Sequence, residues 1–131
     1  MIQMSSILNV VDNSGGILGK CISVYKKKKI GLIGDMILVS IRKVKKRRTP
    51  KGVVRPRPRV EMHNLYKAII IGTKSGFFRP DGRFYKHNRN NIVLLSRVKE
   101  SLIGTRILCS VSKEFRNSKL LKYIILGVKF F

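Results

Sequence analysis

Short β-type runs, each cut off by a turn signal after about ten residues, set the tightest limit on what this chain can fold into. "SSILNVV" is followed by "DNSGG", and "KCISVY" by "KKKKIGLIGD". "MILVSIRKV", "LYKAIIIGTK", "SGFFRPDGRFYK" and "NNIVLLS" come after them. Asn, Asp, Gly and Pro punctuate the runs because they supply the left-handed or fixed φ values that turns require. Such spacing predicts a small all-β barrel or sandwich. The clearest single element is a hairpin over "GFFRPDGRFYK". Pro80 presets φ at its first corner, Asp81 caps the turn and Gly82 takes the left-handed position. The tail changes period. Ser112 is a good N-cap, Glu114 suits a first helical turn, and a short helix is expected over about residues 113–118. "LLKYIILGV" then reads as a last strand that closes the sheet.

One stretch is compositionally biased. Arg42 to Arg59, "RKVKKRRTPKGVVRPRPR", carries ten cations in eighteen positions and no carboxylate. It also holds Pro50, Pro56 and Pro58, which remove ladder donors and exclude a central strand. The whole chain has 29 Lys and Arg against six Asp and Glu, a net charge of +23 over 131 residues. Self-repulsion on this scale opposes compaction unless a polyanion supplies counter-charge. Nucleic acid is the densest one available. RNA is preferred to DNA because no long helix is expected to present a major-groove reading face. The "RPRPR" alternation keeps the backbone extended, and Arg suits bidentate phosphate contact. An anionic membrane is the other polyanion, but it calls for a basic amphipathic helix, and none is predicted. No apolar run is long enough to span a bilayer, and the start lacks the pattern of a secretory signal, so no membrane insertion is expected.

Catalysis is poorly provided for. Asp12, Asp35 and Asp81 stand in Gly-containing turns and Glu114 at a helix start, which leaves Glu61 and Glu100 as free carboxylates. His63 and His87 are the only histidines, and Cys21 and Cys109 the only cysteines. No ligand spacing suggests a metal site, and the two thiols read as buried and reduced. "GLIGD" and "DNSGG" lack the Lys-Ser/Thr of a P-loop. No enzymatic activity, cofactor or metal is expected.

Four motifs in order then resemble one family. "AIIIGTKSGFFRPDGRFYKHNRNNIVL", Ala68 to Leu94, closely resembles the signature of the universal large-subunit ribosomal protein number fourteen in its bacterial and organellar form. "MIQ" with "LNVVDNSGG", "IGLIGDMI", and "GTRILCSVSKEFR" (Gly104 to Arg116) resemble its N-terminal strand, its GIGD turn and its GTRIFGPV segment. The chain departs from the pattern in four places. His87 replaces Phe or Tyr, His63-Asn64 replaces Gly-Asp, and Leu102 replaces Pro. The stretch from Arg42 to about Glu61 is also longer and more basic than the bacterial form.

The resemblance implies a five-stranded β-barrel with a hairpin extension and a short helical C-terminal segment. Residues 1–131 would form one domain with a basic insert at about 42–61. It implies a structural constituent of the large ribosomal subunit that binds large-subunit rRNA near the subunit interface and contributes to intersubunit bridges with small-subunit rRNA. It further implies contact with large-subunit proteins number three and nineteen and with the ribosome-silencing factor. The residues expected on RNA are Lys45, Lys46, Arg47, Arg48, Lys51, Arg55, Arg57, Arg59, Lys74, Arg79, Arg83 and Lys86. By motif match, the silencing-factor surface falls on Thr105, Arg106 and Lys122, with Leu108 and Cys109 in the core. The Lys-, Ile- and Asn-rich composition suits an AT-rich genome such as an organelle's, and the high charge and the extra insert favour a mitochondrial matrix, with a plastid or a bacterial cytoplasm as alternatives. A free-standing basic RNA-binding or chaperone domain is the competing reading.

Overall fold

The computed structural model describes residues 1–26, 29–45, 60–96, 101–117 and 125–130. Five strands close into a barrel: β1 (Ile7–Val10), β2 (Gly16–Val24), β3 (Met36–Val44), β4 (Leu65–Gly72) and β7 (Asn91–Leu95). β5 (Phe77–Phe78) and β6 (Phe84–Tyr85) form the hairpin between β4 and β7. β8 (Ile107–Val111), a 3-10 helix at Lys113–Asn117 and β9 (Gly127–Phe130) follow. The barrel pairs antiparallel along β1-β2-β3-β4-β7. A parallel contact closes it, with Asn9 opposite Asn91 and Val10 opposite Ile92.

Alternation explains the interior. Ile37, Val39 and Ile41 on β3, Ala68 and Ile70 on β4, and Ile92 and Leu94 on β7 point into one core with Ile2, Leu8, Cys21 and Val60. "AIII" and "IVLL" show no alternation because both faces of β4 and β7 are covered. Their other residues, Ile69, Ile71, Val93 and Leu95, pack against Ile107, Val111 and Phe115. The C-terminal part is therefore a cover laid on the outer wall of the barrel, and continuous apolar runs are the sequence mark of strands buried on two sides.

Asp12 joins the two layers. Its carboxylate accepts from the Ser14 amide (2.9 Å) and the Ser14 hydroxyl on one side and from the Leu94 amide (2.9 Å) on the other. The adjacent Val11 carbonyl accepts from the Leu108 amide (2.7 Å).

Three expectations change. The closure is made by β1 with β7; the expected last strand lies mostly outside the described residues, and β9, which shares only Gly127 and Val128 with it, pairs in parallel with β8 outside the barrel. The expected helix is a 3-10 turn at Lys113–Asn117. Its start is marked by the Ser112 carbonyl, which accepts from the Phe115 amide (3.3 Å), and not by the Ser112 hydroxyl. That hydroxyl is buried with no hydrogen-bond partner among the described residues. Leu108 is 58% exposed and belongs to neither core, because β8 turns Ile107 and Val111 inward and Leu108 outward. Cys109 does pack against the outer core.

Candidate nucleic-acid interface

The mouth of the insert is well defined on both sides. β3 ends in exposed Arg42, Lys43 and Lys45. The Lys45 amide is fixed to the Gly15 carbonyl (2.9 Å). The chain re-enters at Val60, which is fully buried in the barrel core. A turn then leads into β4. His63 stands in it at φ +63°, and the Asn64 amide group donates to Glu61 (2.8 Å). Lys46, Arg47, Arg48, Lys51, Arg55, Arg57 and Arg59 lie outside the described residues, as does Lys122.

The hairpin is the second basic element. Its turn forms as the sequence predicts. The Gly82 amide donates to the Arg79 carbonyl (3.0 Å), the Arg83 amide to the Asp81 carboxylate (3.1 Å), and Gly82 sits at φ +78°. Lys74, Arg83 and Lys86 are exposed. Lys74 stands at the hairpin base, where its amide donates to the Asn90 side chain (2.8 Å).

Arg79 is placed differently from its neighbours. Its side chain is only 12% exposed and lies 3.9 Å from the centre of the Tyr85 ring. Both ends of its guanidinium fork donate to Glu114, the second contact at 3.3 Å. That bond raises the guanidinium above its ordinary range. Arg79 thus ties the hairpin to the 3-10 helix, a role invisible in a sequence where 35 positions separate the partners. The cleft beside this tie is lined by Leu32, Ile33, Thr73, Gly76, Phe77 and Glu114. It is mostly apolar, and its one carboxylate is already held by Arg79, so it offers no acid–base pair.

The ring at position 87 packs against Gly72. The imidazole of His87 lies so close to Gly72 that a Cβ there would stand 2.4 Å from the ring. Burial pushes the His87 pKa below its ordinary value. Burial likewise pushes the Cys109 thiol up to about 11 and raises the Cys21 thiol above its ordinary value.

The third element is the loop before β8, where Thr105 and Arg106 are both exposed. Asn13 shapes it. Its side-chain carbonyl accepts from the Thr105 amide (2.7 Å) and the Arg106 amide (3.3 Å), and its NH2 donates to the Thr105 hydroxyl (2.7 Å). Sequence reasoning assigned Asn13 only to a turn. A residue 92 positions away gives no local signal of this contact.

Three exposed basic or polar surfaces thus stand on a closed barrel, and among the described residues none assembles a reactive centre. The family model described as ribosomal protein L14p/L23e matches residues 1–131. The chain belongs to the L14p/L23e family. It is a ribosomal protein of the large subunit, its role is structural, and it is not an enzyme. L14p/L23e membership agrees with the four motifs and with the barrel. It gives the cationic surfaces a class of partner, rRNA and other ribosomal proteins.

Proposed function

We propose that this chain acts as one domain that clamps large-subunit rRNA near the subunit interface and contributes to bridges with small-subunit rRNA. The observation that carries the reading is the family match over residues 1–131 on a chain of net charge +23. Charge excess of that size requires a polyanion, and a ribosomal assembly supplies one. The exposed residues Lys45, Lys74, Arg83 and Lys86 support rRNA contact at the insert mouth and along the hairpin, with the basic stretch between Lys45 and Val60 reaching further. Arg79 contributes by holding the hairpin in place. Thr105 and Arg106, fixed by Asn13, with Lys122, form the surface for the ribosome-silencing factor. Large-subunit proteins number three and nineteen are the neighbours. The high charge and the long insert support a mitochondrial ribosome.

Sucrose-gradient sedimentation of native lysate and of purified organelles, at low and at moderate salt, tests this. The expected result is co-migration with the large subunit that survives moderate salt, in the mitochondrial fraction. A chain found at the top of the gradient, or lost from the particle at modest salt, overturns the clamp and favours a free RNA-binding domain. Recovery in plastid or bacterial ribosomes overturns the compartment alone.

A further inference from the structure

The hairpin has two aromatic faces, and only one of them is packed. Pairing sets Phe77 opposite Tyr85 and Phe78 opposite Phe84. Side chains alternate along strands, so Phe77, Arg79 and Tyr85 share one face while Phe78, Phe84 and Lys86 share the other. The first face is occupied. The Phe77 and Tyr85 rings stack at 6.2 Å, Arg79 covers Tyr85, and Glu114 holds Arg79. The second face meets solvent. Phe78 is 75% exposed and Phe84 48%, yet their rings touch at 4.8 Å between centroids, tilted by 50°.

A lone exposed apolar residue needs no explanation, but two large rings in contact on one open hairpin face present a paired aromatic patch. Its surroundings select the ligand. Lys86 lies on the same face and is exposed. The nearest acid in sequence, Asp81, is turned to the Arg83 amide and guanidinium, the latter at 3.6 Å. A protein partner drawn to this face would bring an apolar patch and meet unbalanced cations at its edge. An unpaired base brings a flat ring for the phenylalanines and a phosphate for the lysine. RNA recognition commonly uses such splayed bases stacked on aromatic side chains.

We propose that Phe78 and Phe84 form a stacking platform for an unpaired nucleobase of large-subunit rRNA, with Lys86 on the adjoining phosphate. This rests on the rRNA-binding role proposed above and adds a site to it.

Two measurements test the platform. The first is ultraviolet crosslinking of native large subunits followed by mass spectrometry of this protein's peptides. A nucleotide adduct on Phe78 or Phe84 is the expected result. Adducts on other basic peptides with none on the hairpin overturn the platform and leave the rRNA-binding role standing. The same holds if the hairpin peptide is joined only to a neighbouring protein by an amine-reactive crosslinker. Absence of the protein from the particle overturns both. The second measurement is filter binding of the full chain to transcribed large-subunit rRNA. Phe78→Leu keeps apolar area but loses the ring, and should weaken binding about 5- to 100-fold with the salt slope unchanged. Phe78→Trp should restore it. Full affinity in Phe78→Leu overturns the platform.

Discussion

Replacing residues 46–59 with a Gly-Ser segment of the same fourteen-residue length separates the charge of the insert from the fold. The exchange removes seven cations and no acid, so the net charge falls from +23 to +16. The described barrel pairings run between residues 7 and 95 and involve none of the replaced positions. The two anchors are kept: the Lys45 amide on Gly15 and the buried side chain of Val60. Loop length is unchanged, so the length-dependent part of the closure entropy is too. The unfolding midpoint in urea should therefore stay level or rise, since self-repulsion falls.

Binding should change in slope as well as strength. If about half of the seven cations meet phosphate, each contributing about 0.7–0.9 to the slope of log K against log salt, the variant's slope is shallower by about 3. Between about 50 and 200 mM salt the parent chain then loses roughly 60-fold more affinity than the variant. Filter binding to transcribed large-subunit rRNA across that range reads the difference. Equal slopes would show that the insert does not carry phosphate contacts. Loss of cooperative unfolding would show that it belongs to the fold, and either result refutes the reasoning.

Other perturbations test the frame. A Cβ on Gly19 would stand 2.3 Å from Cγ1 of the fully buried Val39. Gly19→Ala should cost about 1–3 kcal/mol in urea melts, and Val39→Ala should absorb part of that loss. Additive effects in the double variant would place the clash elsewhere. Arg79→Ala should speed hydrogen exchange in the hairpin while the β2–β4 amides stay protected, and Arg79→Lys should not rescue it, because one ammonium cannot reproduce the fork on Glu114. Unchanged hairpin exchange would refute the tie. Burial lowers the His87 pKa from its ordinary 6.5, so below that value the unfolded chain binds more protons than the folded one. Stability should fall as pH drops from about 7 through the window below 6.5, and His87→Phe should flatten that part of the curve. The same acid slope in His87→Phe would assign the effect to another group.

The strands and turns could be read from the sequence because their causes are local. The Asp81-Gly82 corner and the apolar runs of β3, β4 and β7 each follow from a few adjacent residues. Contacts between distant segments left no such mark. Nothing in "SKEF" says that Glu114 will capture Arg79, nor does "DNSGG" show that Asn13 will shape the Thr105 loop. The expected strand "LLKYIILGV" lies mostly outside the described residues, and the strand that is described, β9, overlaps it only at Gly127 and Val128 and lies in an outer layer, which apolar content alone does not distinguish from a barrel wall. His63 shows a local rule overridden: its φ of +63° is disfavoured for a side chain bearing Cβ, yet its amide donates to Ile41 (2.8 Å) at the mouth of the β3–β4 ladder.

The acids explain why the remaining charge must be met from outside. Five of the six carboxylates lie in described residues, and each is engaged within its own chain. Asp12 accepts from the Ser14 and Leu94 amides, Asp35 from the Leu32 amide (2.9 Å), and Glu61 from Asn64. Asp81 accepts from the Arg83 amide, and Glu114 from Arg79. These bonds shape turns and tie layers more than they neutralise cations. Even if every acid met a cation, an excess of +23 would remain. The isolated chain should therefore be stabilised by ionic strength as the screening length shrinks from about 30 Å at 0.01 M to about 3 Å at 1 M. Thermal melts in KCl, with K2SO4 matched in ionic strength to expose any specific effect of sulfate, should show the midpoint rising in both salts. A midpoint that is flat or falling in KCl would mean that self-repulsion is not what opposes this fold, and the case for rRNA as its counter-charge would lose its physical basis.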